Sequence, residues 1–132
     1  MATDGWFSCP SSKYGLTTTF YTHVIKPDGN VDEAVKAFNA YAEAAKNSKK
    51  HRVVSHSYNA STRELISIET LEGPEVMQNH IGNCFPAYIK ILAAGVEMKE
   101  AICICPKEEV QWWEESVKVW GPKRFIVTAN HV

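Results

Sequence analysis

The chain has 132 residues, 45% apolar and 22% charged, with a formal net charge of −1. That length fits one domain and buries about two thirds of the unfolded surface, so the fold needs no metal or disulfide to hold it together. The near-neutral charge argues against a nucleic-acid binder held by phosphate contacts, and no run of about 18 apolar residues is present to cross a membrane.

Residues 1–14 are short on pattern and read as an arm, although Trp6 and Phe7 could tuck onto the domain, which is taken as 15–132. Residues 15–25 predict a strand, rich in Thr, Phe, Tyr and Val. Lys26-Pro27-Asp28-Gly29-Asn30 is a turn by its Pro-Asp-Gly chemistry. A helix follows over 31–48, with Asn30 as its cap and Val31, Val35, Phe38, Ala42 and Ala45 on one face. The basic run Lys46, Lys49, Lys50, His51 and Arg52 reads as a solvated helix end.

Residues 52–58 and 64–70 predict a hairpin across a short polar turn. Gly73-Pro74 opens a second helix, and Gly82 and Pro86 predict that it is interrupted, with a second segment over 87–94 closed by Gly95. Residues 98–105 are the fourth strand. Residues 107–120 are a third helix, with Val110, Trp113, Val117 and Trp120 on one stripe, more in keeping with core than with a site. Residues 124–128 are a short final strand or extended tail.

The order β-α-β-β-α-β, then α and a short β, is the split-βαβ, ferredoxin-like α+β arrangement. Helices on one side leave the other face of such a sheet bare. A second copy of the chain is an economical cover, so a homodimer is expected.

Cys9, Cys84, Cys103 and Cys105 lack the spacing of a zinc or redox motif. Without a recognisable secretion signal, they read as free thiols in a cytoplasmic protein. His23, His56 and His80 fall on separate elements, and no pair among them has local ligand spacing, so no metal is expected. No phosphate loop, nucleophile elbow or dinucleotide fingerprint appears, and no cofactor is expected.

The stretch Ile68-Glu69-Thr70-Leu71-Glu72-Gly73-Pro74-Glu75-Val76, followed by Asn79-His80-Ile81-Gly82-Asn83, resembles the dimeric α/β barrel superfamily. Within it, the stretch is similar to small antibiotic biosynthesis monooxygenase-like proteins. The likeness continues through Ile102-Cys103-Ile104-Cys105-Pro106, where Cys-Pro stands in place of the more usual Gly-Pro, to Phe125. The resemblance implies a barrel dimer with an acidic residue on the third strand, a helical His and an Asn three residues later, here Glu69, His80 and Asn83. It implies a small aromatic ligand and cofactor-independent oxygen chemistry. It leaves open a non-catalytic stress-response or binding barrel and a heme-handling protein of the same fold.

His80 is the candidate base, because an imidazole can take a proton from a phenol or enol near neutral pH. The bland reading is that His80 and Asn83 satisfy backbone groups freed where the helix breaks. Strand alternation groups Tyr21 with His23, His56 with Tyr58, and Ser67 with Glu69 as candidate substrate-binding positions. In this reading Ile66 and Ile68 pack on the helices, while Ser67 and Glu69 face the barrel. A slip of one residue would reverse every face.

Overall fold

The computed structural model describes residues 16–48 and 51–130. The arm over 1–14, Cys9, Lys49 and Lys50 lie outside the described residues. The elements are β1 (Leu16–Ile25), α1 (Val31–Ala45), β2 (His51–Asn59), β3 (Glu64–Glu72), α2 (Gly73–Ala93), β4 (Val96–Cys105), a 3-10 turn (Lys107–Glu109), α3 (Val110–Val119) and β5 (Arg124–Ala129). They form one sheet in the order β2-β3-β1-β4-β5. All neighbours are antiparallel except β4 and β5, which run parallel. This is the α+β ferredoxin-like arrangement, extended by α3 and β5. No helix among the described residues is long and apolar enough to cross a membrane.

Local chemistry fixes the ends of the elements. Asn30 caps α1 by accepting a hydrogen bond from the Glu33 backbone N–H at 3.0 Å. Gly95 follows α2 with φ +87°, a conformation that suits glycine. A Cβ there would also lie 2.6 Å from the Gly29 Cα, so the two loops touch backbone to backbone. The helix α2 is continuous, where an interruption was predicted. Pro86 removes one N–H and leaves the Gly82 carbonyl without its helical donor. Both residues are exposed, so water can solvate that carbonyl and the helix need not break.

The buried face of the sheet carries Thr17, Thr19, His23 and Ile25 of β1, Leu65, Ser67, Glu69 and Leu71 of β3, and Ala101, Cys103 and Cys105 of β4. Against it lie Ala34, Ala37 and Phe38 of α1, Met77, Tyr88 and Ile91 of α2, and Trp113 and Val117 of α3. The expected facing is thereby reversed. Ser67 and Glu69 point at the helices, and Ile66 and Ile68 point to the opposite side, which no described helix covers. There Ile68, Phe20, Ile102 and Ile126 stand in register across four strands. The reason is that a strand's face follows pairing and partners as well as hydropathy: Leu65 and Leu71 on the same side as Glu69 supply the apolar contacts that hold that side inside.

Two bulges correct a strict alternation. The register of β2 on β3 skips Val54, which is 62% exposed, so His51 and Val53 share a face with His56 and Tyr58 despite the odd spacing. The register of β4 on β1 skips Lys99, so Met98 and Ala101 both turn inward.

Candidate functional site

The carboxylate of Glu69 is the centre of a buried polar cluster on the helix side of the sheet. β3 places it opposite Thr19 of β1 and Val53 of β2, in the middle of the sheet, where it is 1% exposed. His51, the first residue of β2, places Nε2 at 2.6 Å from Glu69 Oε1 and donates to it. Ser67, two residues back on the same face, donates to Oε2 at 3.1 Å. His80 of α2 has Nε2 at 3.6 Å from Oε1. The Tyr41 hydroxyl, from α1, lies 2.6 Å from His80 Nε2 and 3.4 Å from Glu69 Oε1.

Burial by itself pushes the Glu69 carboxyl up. The hydrogen bond and charge of His51, the charge of His80 and the Ser67 hydroxyl more than offset this, so its pKa lies below the ordinary carboxylate value. Burial pushes His80 down to about 4, against the opposing pull of Glu69, so the ring is neutral at pH 7. Burial, with Glu69 nearby, pushes the Tyr41 phenol well above its ordinary value. The His80 tautomer sets the direction of the Tyr41 bond: with the His80 proton on Nδ1, Tyr41 donates to Nε2, and with it on Nε2, Tyr41 accepts from His80 and donates to Glu69 Oε1. Ser48 Oγ at 3.3 Å and Cys84 Sγ at 3.4 Å lie beside His80 Nδ1. Asn83 donates from Nδ2 to the same Ser48 oxygen at 3.4 Å.

His51, Glu69 and His80 each offer a ligand atom, and these atoms all lie within 4.8 Å of one another, close enough for a metal ion. The rings argue otherwise. His51 and His80 stack with centroids 3.6 Å apart and planes 16° from parallel. Lone pairs lie in the ring planes, so those of two stacked rings run side by side. A cation about 2.1 Å from either nitrogen, as in zinc sites, would stand far out of at least one ring plane. The geometry suits one carboxylate shared by two imidazoles.

The cluster closes one end of a cavity of about 50 Å³ between sheet and helices. Tyr21, His23, Tyr41, Ser67, Glu69 and His80 line it together with apolar groups such as Phe38, Met77 and Ile91. The walls are mostly hydrocarbon with a few convergent polar groups, the lining chemistry of a small-molecule site, in a volume well below the roughly 300–1,000 Å³ such sites usually have.

Of the residues singled out in the sequence, Tyr21, His23, Ser67, Glu69 and His80 meet around this cavity. Three do not line it. Asn83 is exposed and, among the described residues, reaches His80 through Ser48. His56 stacks on Phe38 at 3.8 Å, and Tyr58 packs at the margin of the core. Among the described residues, His80 and Asn83 bond side chains (Tyr41, Ser48, Cys84 and Asn79) where the bland reading expected backbone groups at a helix break. Cys103 and Cys105 are buried on one face, as expected. Trp113 is core, while Trp120 borders the cavity.

Sequence reasoning missed Tyr41 and His51. His51 is not part of a solvated basic run: it is 1% exposed and bonded to Glu69. Its face was hidden by the Val54 bulge. Tyr41 carried a usable signal, lying three residues past Phe38 on the inner side of α1.

Fold and site together define a ferredoxin-like sheet whose helix-covered face holds a polar-ended cavity. No family model and no curated protein matches the chain. Solved structures do. MupZ from Pseudomonas fluorescens superposes with a TM-score of 0.66 at 15% identity, over 83% of this chain and 88% of that one. A candidate antibiotic biosynthesis monooxygenase from Caulobacter crescentus gives 0.54 at 16% identity, over 64% and 88%. A conserved protein of unknown function from Bacteroides thetaiotaomicron gives 0.53 at 17%, over 68% and 96%. The chain thus has the fold of the antibiotic biosynthesis monooxygenase-like proteins. Identities this low carry the fold and nothing about the reaction.

Proposed function

We propose that the chain is a small-molecule enzyme that draws a proton from an aromatic hydroxyl or enol in the cavity. The observation that carries this reading is the buried array Tyr41–His80–Glu69–His51 at the polar end of an otherwise apolar cavity. His80 is the base, reached directly or through Tyr41. Glu69 stabilises the imidazolium that forms, and His51 and Ser67 hold Glu69 in place. Asn83 acts as a positioning residue through Ser48.

The energetics allow this. Moving a proton from a phenol of pKa about 10 to an imidazole near 4 is uphill by about 8 kcal/mol. A turnover of one per second tolerates a barrier of about 17 kcal/mol. The resulting electron-rich anion, held away from water, is the form that reacts with molecular oxygen without a cofactor, as a monooxygenase-like activity requires. Oxygen uptake with a panel of phenols and naphthols tests this. Protein-dependent uptake that falls at least tenfold in His80→Gln supports it. Uptake equal to the buffer blank across the panel would sink the oxygenase reading and favour the binding barrel.

The working unit is a homodimer in this proposal. The row Ile68–Phe20–Ile102–Ile126 forms an apolar band on the sheet face that no described helix covers, and a second copy of the same band is its self-complementary cover.

A further inference from the structure

The cavity beside the Glu69 cluster is small. Its volume of about 50 Å³ is under two water molecules, at the roughly 30 Å³ that each occupies in the liquid. It has room for the polar end of a ligand and little more. One lining residue reaches well into solvent: Phe85 of α2 is 47% exposed, while the others are buried or half-buried. The half-buried Ile81 lines the cavity one helical turn before it.

The same side of α2 continues outward as an apolar stripe. Ile81, Phe85, Ile89 and Leu92 are spaced by four, four and three residues, which places them in one row along the helix. Ile89 is 45% exposed and Leu92 42%. From Phe85 to Leu92 the row is about 10 Å long at 1.5 Å per residue. Between Val76 and Ala93 the one residue of the Asp, Glu, Lys and Arg types is Lys90. It is the neighbour of Ile89 in sequence, and so stands about 100° around the helix from it. The row itself offers hydrocarbon and no charge, which suits an uncharged apolar chain.

We propose that this stripe seats the apolar tail of a ligand whose polar end enters the cavity. The proposal rests on the small-molecule reading above and narrows it to a class: a slender, unbranched molecule with its hydroxyl or enol at one end of a hydrocarbon chain. The hydroxyl meets Tyr41 and His80. The chain leaves past Ile81 and Phe85 and lies along Ile89 and Leu92. Ile81 and Phe85 belong to both the cavity lining and the stripe, so the two surfaces are continuous. A ligand far larger than the cavity is thereby bound with only its end inside.

The probes are the straight-chain primary alcohols from butanol to octanol, titrated into the full chain and followed by NMR at the His80 ring and the Ile89 and Leu92 methyls. Full burial of a methylene is worth about fourfold in affinity. A chain lying on a surface covers about half of each, so about twofold per methylene is expected, or roughly sixteenfold from butanol to octanol. Leu92→Ser and Ile89→Ser alter exposed positions away from the Glu69 cluster. In each, that gain should fall to about fourfold or less, with butanol binding as in wild type, while Leu92→Met keeps the gain. A shift at His80 with no gain along the series, or a gain that both serine variants retain, overturns the tail seat and leaves the cavity reading standing. Serine variants that keep the gain but lower the mass seen by light scattering make the stripe an interface between copies, which also overturns it. No shift at His80 with any of the alcohols overturns both readings.

Discussion

The two faces of the sheet invert the usual distribution of residues. The helix-covered face buries Glu69, His23, Ser67, Thr17 and Thr19, together with His51. The face that no described helix covers carries the half-buried Phe20, Ile66, Ile68, Ile102 and Ile104. On the covered face Glu69 is satisfied by His51 and Ser67, while Thr17 Oγ1, Thr19 Oγ1, His23 Nδ1 and His51 Nδ1 have no partner among the described residues. An uncovered apolar face is tolerable where something covers it. The proposed function assigns chemistry to the covered side and assembly to the other.

The largest expected effect breaks the assembly side. Phe20→Asp places a charge in the middle of the apolar row. The proposed dimer should lose at least a thousandfold in affinity, about 4 kcal/mol, from the cost of desolvating an unpaired carboxylate. Light scattering after size exclusion reads it. A wild-type chain that is already monomeric at micromolar concentration would refute the division of labour.

Next comes the chemical side. Glu69→Ala leaves two stacked imidazoles without their shared carboxylate and should cost about 3 kcal/mol of stability. Thermal unfolding would then shift down by roughly 10 °C for a domain this size. A shift under about 2 °C would mean that the cluster is not coupled to folding.

The same side should be acid-sensitive. His23 and His80 are depressed from 6.5 to about 4 in the fold. The unfolded chain binds these protons first, so stability falls as pH drops from about 6.5 towards 4. The slope reaches about 1.4 kcal/mol per pH unit for each histidine. Glu69, whose pKa is lowered in the fold, contributes stability above its unfolded value of 4.5 and loses it as pH falls further. His23→Phe should flatten the profile by one proton, while Phe20→Asp should leave the His-linked slope between 6.5 and 4 intact. Denaturant titrations across pH measure both.

The smallest effect concerns Asn83, which touches the cluster through Ser48. Asn83→Ala should change stability by less than about 0.5 kcal/mol and lower any activity by less than tenfold. A loss of a hundredfold or more would place Asn83 in direct contact with substrate.

The order of elements was legible from local signals alone. Asn30 capping α1, Gly95 closing α2 and the β-branched runs act within a few residues, so their physics is contained in the sequence. The pairing of Tyr21 with His23, and of Ser67 with Glu69, followed from alternation for the same reason. The direction those pairs faced was not legible, because hydropathy alone favoured placing Ile66 and Ile68 against the helices. Nor was the role of His51, since the Val54 bulge shifts its parity and its partner Glu69 lies on another strand. Whether a buried carboxylate is tolerated depends on side chains brought from α1, α2, β2 and β3 to within hydrogen-bonding distance. That meeting is a property of the tertiary structure: it made Glu69, His51, His80 and Tyr41 one site, where the sequence offered a helical histidine and a strand carboxylate.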